Sequence, residues 1–220
     1  MNGPGPVGLL GGTFDPIHHA HLRLAHEAQA ACGLDHVRFV PSATPPHRGT
    51  PGATAEQRLA MVELAIADHP GFFADRRELD RSQPSYTIHT LESLRTELGA
   101  DRPICLLLGA DAFRLLETWH RWRDLFAAAH LVVAHRPGFD PLPDTPALVD
   151  EYRRRRIDDP SALARQPAGC LLPLAITPLD ISASAIRAER MAGGSPCYLL
   201  PDSVLGYIES HHLYRSVAGG

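Results

Sequence analysis

A chain of 220 residues with 44% hydrophobic and 21% charged residues is long enough to bury a sizeable core and has a globular composition. Its net charge of −4 gives no reason to expect nonspecific nucleic-acid binding, and no apolar run approaches membrane length. The four cysteines, Cys32, Cys105, Cys170 and Cys197, are far apart without a C-x-x-C pair, and read as buried apolar residues rather than a disulfide frame or zinc site. No basic segment followed by an apolar one stands near the N-terminus, so a cytoplasmic location is expected.

Along the chain one pattern repeats: a short apolar run, a loop, an amphipathic stretch. The runs Val7–Leu10, Val37–Val40, Phe72–Ala74, Ile104–Leu108, Leu131–Ala134 and Cys170–Leu174 read as strands. The first breaks at Gly11-Gly12, crosses a polar turn through Asp15-Pro16 and enters a helical pattern at about His18. That helix should end near Cys32, with Gly33 as its stop. A second helix runs from Thr54 to about Asp68, opened by Thr54 and Gln57 at capping-box spacing. A third, Ser85 to Leu98, carries Ile88, Leu91, Leu94 and Leu98 on one stripe. Gly138 to Arg165 differs, with four prolines and the run Arg153–Arg156 beside Asp158-Asp159. It reads as a surface excursion, helical around Ala147–Arg156, with the arginines on a solvated face. Strands alternating with helices imply an α/β fold, a doubly wound parallel sheet with helices on both faces. The whole of 1–220 is read as one domain, its C-terminal helical part (about 182–214) completing a site at the carboxyl edge of the strands.

That site begins at residues 8–22. Glycines at 11 and 12 let a backbone approach a ligand closely, and the following helix start offers N–H groups and a positive dipole to an anion. His18 and His21, three apart, would share a face at that end. Two decoys are set aside. Gly3 to Gly8 spells G-x-G-x-x-G but precedes the first strand and contains two prolines. His18, His19 and His21 lack the acidic partners of a zinc site, so no protein-held metal is assigned. Far along the chain, Asp180-Ile181-Ser182-Ala183-Ser184-Ala185-Ile186-Arg187 begins another helix that Ser182 or Ser184 can cap. Its N–H groups, hydroxyls and Arg187 make a second anion-binding surface.

The pair Gly-Gly-Thr-Phe-Asp-Pro-Ile-His-x-x-His (11–21) and Ile-Ser-Ala-Ser-Ala-Ile-Arg (181–187) resembles the nucleotidyltransferase superfamily marked by T/H-x-G-H and I-S-S-T-x-I-R. Within it, Pro45-Pro46-His47-Arg48, Pro84-Ser85-Tyr86-Thr87-Ile88-His89-Thr90-Leu91, Gly109-Ala110-Asp111, Trp119, Arg136-Pro137-Gly138 and Tyr198-Leu199-Leu200-Pro201 through Leu213-Tyr214 are similar to the bacterial nicotinate mononucleotide adenylyltransferases. Four departures stand out. Ala20 takes the place of the family's glycine, Arg48 of a lysine, and His89 of an aspartate that is given no role. Ala183 and Ser184 stand for Ser and Thr, which loses one hydroxyl.

The resemblance implies a Rossmann-like fold and transfer of AMP from ATP to nicotinate mononucleotide, serving NAD synthesis. It assigns His18, His21 and Arg187 to catalysis. Gly11, Thr13, Phe14, Asp111, Ile181, Ser182 and Ser184 would bind ATP. Gly12, His47, Arg48, Ser85, Tyr86, Thr87, Trp119 and Arg136 would bind the acceptor. Mg²⁺ would arrive on the triphosphate, keeping mostly water ligands. The expected partners are ATP and nicotinate mononucleotide, with neither nucleic acid nor membrane, and self-association into a homo-oligomer is left open. The chemistry suits a chain lacking a Ser-His-Asp or Cys-His arrangement. The attacking phosphate, with a second pKa of about 6, is already mostly a dianion at neutral pH and needs no general base. Two other readings stay open: the same chemistry on nicotinamide mononucleotide or another phosphate acceptor, and a non-catalytic nucleotide-binding protein.

Overall fold

A short, mostly apolar run can satisfy neither its backbone nor its side chains alone, and here six such runs of three to six residues solve the problem together. The computed structural model describes residues 5–43, 51–81, 84–138 and 141–215. The runs form β1 (Val7–Gly12), β2 (His36–Pro41), β3 (Phe72–Ala74), β4 (Ile104–Gly109), β5 (His130–His135) and β6 (Leu171–Ala175). They join in one parallel sheet of order β3-β2-β1-β4-β5-β6, with Val7 of β1 facing His36 on one side and Ile104 on the other. The chain builds outward from β1 to β3, returns to pair β4 with β1, then builds outward again. The order reverses between β1 and β4, where an α/β sheet opens a crevice at its carboxyl edge.

The helices are α1 (His19–Cys32), α2 (Ala55–Ile66), α3 (Thr87–Leu98), α4 (Ala110–Arg114), α5 (Leu125–Ala128), α6 (Pro146–Arg155), α7 (Ala183–Met191) and α8 (Asp202–Ser210). They cover both faces of the sheet. On one face Leu10, Val37 and Phe39 pack with Ala25 and Ala28 of α1, Met61 and Val62 of α2, Ile186 of α7, and Val204 and Ile208 of α8. On the other, Leu9, Leu106 and Leu108 meet Ile88, Leu91 and Leu94 of α3, Phe126 of α5, and Leu148 and Tyr152 of α6. Gly33, left-handed at φ 59°, ends α1, and the Thr54–Gln57 capping box opens α2 with both reciprocal bonds made. Among the described residues no helix is long and apolar enough to cross a membrane.

Several expectations need correction. Strand β1 does not break at Gly11-Gly12; both glycines stay in register with Val40 and Pro41 of β2. Helix α3 starts at Thr87 rather than Ser85, whose hydroxyl instead accepts from the Ala43 N–H at 3.0 Å. The segment 138–165 is no mere surface excursion, because Leu148, Tyr152 and Leu163 are fully buried and Arg156 bridges to Leu171 at the sheet edge. Arg153, Arg154 and Arg156 are exposed as expected, Arg154 pairing with Glu151 and Arg156 with Asp158, but Arg155 is part-buried, its guanidinium over the Phe126 ring at 4.6 Å and donating to Gly169 O at 3.2 Å. Cys197 is exposed, whereas Cys32, Cys105 and Cys170 are buried. Burial pushes the Cys32 thiol up to about 12.

Candidate active site

Between β1 and α1 the chain makes a turn, Thr13 to His18, that is almost wholly buried from Phe14 onward. Phe14 sits at a left-handed φ of 49°, a costly conformation for an aromatic residue, and its ring packs edge-on to His21 at 5.1 Å. A methyl at Gly12 would meet that ring at 3.0 Å, so a side chain at 12 would press on Phe14. At Gly11 no atom of the described residues, chain neighbours apart, lies within 4 Å of an added Cβ, and the same holds for Gly109 at the end of β4. Gly11 is the last residue but one of β1 and Gly109 the last of β4, the two strands that flank the switch point.

Two buried polar residues hold the turn. The Asp15 carboxylate, 4% exposed, accepts from the N–H groups of Gly52 (2.8 Å) and Ala53 (3.1 Å) and from the hydroxyl of Tyr214 (2.7 Å). Arg58, on the inner face of α2 and 1% exposed, donates to the carbonyls of Thr13 (2.7 Å), Ala43 (3.2 Å) and Ala53 (3.3 Å). Neither residue was singled out from sequence. Arg58 had a signal, since it lies four residues before Val62 and eight before Ile66 on the apolar face of a helix. The role of Asp15 had none beyond its place in the motif.

His18 is the N-cap of α1 rather than part of it, and its ring stacks on that of His21 at 3.7 Å and 26°. The backbone N–H of His18 donates to Nδ1 of His21 at 3.3 Å, which places the proton of a neutral His21 ring on Nε2, as a donor. His18 is 5% exposed, and its Nδ1 is buried without a hydrogen-bond partner among the described residues. Burial, with His19 adding to it, pushes its pKa down to about 4, so the ring is neutral at pH 7. A buried nitrogen without a partner at a helix N-terminus is uncommon and needs an explanation.

The second constellation reaches the same turn. Ser182 caps α7, its hydroxyl accepting from the Ala185 N–H at 3.2 Å with Ser184 Oγ also at 3.2 Å. One turn on, Arg187 donates through Nη1 to the Asp15 carbonyl at 2.6 Å, and the same nitrogen lies 3.6 Å from the Asp15 carboxylate. Residues 172 apart in sequence thus share one corner, and the His19 N–H bonded to Leu199 O (3.0 Å) adds a further tie. Ile181 is half-buried beside the cap.

The remaining candidates spread along the carboxyl edge. Asp111 is exposed in the first turn of α4, directly after β4. Tyr86 and Thr87 begin α3. The Tyr86 ring stacks on His120 at 4.5 Å, with His89 edge-on to both at 5.6 Å. His89, given no role from sequence, has a buried Nδ1 without a partner among the described residues. Trp119 is half-buried against the core on the α3 side. The Ser85 hydroxyl accepts from the Ala43 N–H and is hydrogen-bonded to the buried Glu78 carboxylate, so it braces the site more than it presents a donor. Arg136 is exposed, and its guanidinium lies 3.7 Å from Asp180. His47 and Arg48 lie outside the described residues.

Comparison with known proteins agrees with this fold. The family model described as cytidylyltransferase-like matches residues 9–189. A Dechloromonas aromatica protein named "Probable nicotinate-nucleotide adenylyltransferase" is 53% identical over 96% of this chain and 98% of its own length. A Pseudomonas aeruginosa protein of the same name is 50% identical over 96% and 97%. The nicotinic acid mononucleotide adenylyltransferase of Plasmodium falciparum, solved in complex with NaAD, superposes with a TM-score of 0.70 over 96% of this chain and 97% of its own; at 17% identity it speaks for the Rossmann-like fold. With a parallel sheet, a histidine-bearing turn at its switch point and an arginine helix docked onto that turn, the chain belongs to the cytidylyltransferase-like family, and within it to the nicotinate-nucleotide adenylyltransferases.

Proposed function

We propose that this chain joins AMP from ATP to nicotinate mononucleotide, releasing pyrophosphate and giving nicotinate adenine dinucleotide for NAD synthesis. The observation that carries the reading is the convergence on one turn of a buried, neutral His18 with an orphaned Nδ1, the His21 ring stacked on it, and Arg187 from the far end of the chain. Such a corner has donors and positive charge but no nucleophile. It suits phosphate-to-phosphate transfer, where the substrates supply the chemistry and the protein supplies placement.

Positioning can contribute roughly 7–11 kcal/mol to lowering such a barrier, and preorganised donors several more. His18 and His21 donate to the phosphates of ATP as charge shifts onto the bridging oxygen. Arg187, the N-terminus of α7 and the Ser182 and Ser184 hydroxyls hold the departing pyrophosphate. Gly11 lets the nucleotide lie against the end of β1, with Thr13, Phe14, Asp111 and Ile181 around it. Gly12, Tyr86, Thr87 and Trp119 receive the acceptor, its carboxylate at the N-terminus of α3 and its ring on the indole, with Arg136, His47 and Arg48 serving its phosphate. The Asp15 carboxylate is already committed to N–H and O–H donors. It therefore offers Mg²⁺ little, and the ion comes bound to ATP and keeps phosphate and water ligands. A cytoplasmic site of action goes with this role.

The test is pyrophosphate release from MgATP with a panel of acceptors: nicotinate mononucleotide, nicotinamide mononucleotide, phosphopantetheine and glycerol phosphate. Release that requires nicotinate mononucleotide supports the proposal. Release with none of them would leave a nucleotide-binding protein without this activity.

A further inference from the structure

We propose that Tyr214, through Asp15, is a positioning residue for Arg187, so that the C-terminal end of the chain sets the geometry of pyrophosphate departure. The inference rests on the role given to Arg187 above. It begins from a mismatch in the Asp15 site. Arg187 is not held by a carboxylate fork: its close contact is with the Asp15 main-chain carbonyl at 2.6 Å, while the carboxylate oxygen lies at 3.6 Å. The carboxylate is instead taken up by Gly52, Ala53 and Tyr214. The orientation of the Asp15 peptide, and hence of the guanidinium, therefore depends on what fixes the Asp15 side chain. Among the described residues three donors do so, the Gly52 and Ala53 N–H groups and the Tyr214 hydroxyl, and of these only Tyr214 uses a side chain.

Packing supports the same relation. Tyr214 is 8% exposed, and a methyl built on Gly52 would meet its ring at 2.9 Å and the Arg187 Cδ at 3.6 Å. Tyr214 and Arg187 thus both lie over Gly52. Burial and the bond to Asp15 raise the Tyr214 pKa, which keeps the hydroxyl a donor throughout the working pH range. A guanidinium has five N–H donors in a rigid fork. One used on the Asp15 carbonyl fixes the plane in which the others meet an anion, which a mobile arginine would not achieve.

The experiment is a cycle of Tyr214→Phe, Arg187→Ala and the double variant, each read by kcat, KM for nicotinate mononucleotide, and pyrophosphate affinity by calorimetry. Tyr214→Phe keeps the buried ring and removes only the hydroxyl. We expect kcat and pyrophosphate affinity each to fall about tenfold, the weight of one hydrogen bond to a charged group, with the acceptor KM unchanged. In the Arg187→Ala background the second change should add nothing to either quantity. Equal losses in both backgrounds, or a loss of thermal stability alone, would overturn the proposal. Should Tyr214→Phe fold poorly, Gly52→Ala at an exposed position displaces the same ring and should give the same signature, and normal pyrophosphate affinity there would be equally fatal. Calorimetry needs no turnover. If the wild-type protein lacks activity, the reading of function fails while the pyrophosphate data still decide the role of Tyr214.

Discussion

Acid should destabilise this protein through His18, and the size of the effect follows from its burial. In the unfolded chain a histidine takes up a proton near pH 6.5, whereas folded His18 resists until about pH 4. Between those values the unfolded state binds more protons, so stability falls as pH falls; above pH 6.5 the group contributes no pH dependence. One pKa unit corresponds to about 1.4 kcal/mol, and between pH 7 and pH 5 the two titration curves differ by about 2 kcal/mol. His130 acts in the same direction. It is fully buried, with Nδ1 accepting from the Cys170 N–H at 3.0 Å and Nε2 donating to Gln166 O at 2.9 Å, and burial lowers its pKa. The His18→Gln variant separates the two. Urea unfolding at pH 7 and pH 5 should show the wild-type protein losing about 2 kcal/mol more than the variant on acidification. Equal losses would mean that His18 is not held neutral by burial, and the donor role built on that neutrality would go with it.

Two further outcomes follow from the site. His21→Ala should leave ATP binding within about threefold and lower kcat by roughly two orders of magnitude or more, as expected of a group used mainly in the transition state; a small change in kcat would remove it from the mechanism. Gly11→Ala should leave unfolding stability within about 0.5 kcal/mol, because the methyl meets no atom of the described residues within 4 Å, chain neighbours apart, yet raise KM for ATP about tenfold. An unchanged KM would mean that no nucleotide lies against the end of β1.

How much of this was legible in the sequence depends on the range over which each signal acts. The six strands were, because each is a mostly apolar run bounded by turn residues; burial on both faces leaves no polar alternation in β1, β4 and β5, while in β2 His36 and Arg38 alternate with Val37 and Phe39. The ends of α1 and α2 were legible through Gly33 and the Thr54–Gln57 box, both local devices. The stretch from Ala110 to Ala128 was not, since helices of five and four residues are too short to show a period. In α6, Leu148 and Tyr152 keep the four-residue spacing of a buried face, but surrounding prolines and arginines hid it. His18 and His21 were visible as a pair, whereas the stacking of their rings and the loss of a partner for Nδ1 depend on how the turn folds back. The part of Asp15 was invisible for a simpler reason. Its partners are residues 52, 53, 187 and 214, and only the folded sheet brings them together.

The measurement that bears most directly on the central claim is the ratio of kcat/KM for nicotinate mononucleotide to that for nicotinamide mononucleotide, taken from MgATP-dependent pyrophosphate release. The two acceptors differ only in a carboxylate against an amide, and a helix N-terminus at Thr87 favours the charged group. A ratio of about ten or more in favour of nicotinate is the result predicted, given that one charge-assisted hydrogen bond is worth roughly that much. A ratio near one would contradict the assignment of the pyridine carboxylate to the start of α3 and with it the narrow reading of the substrate.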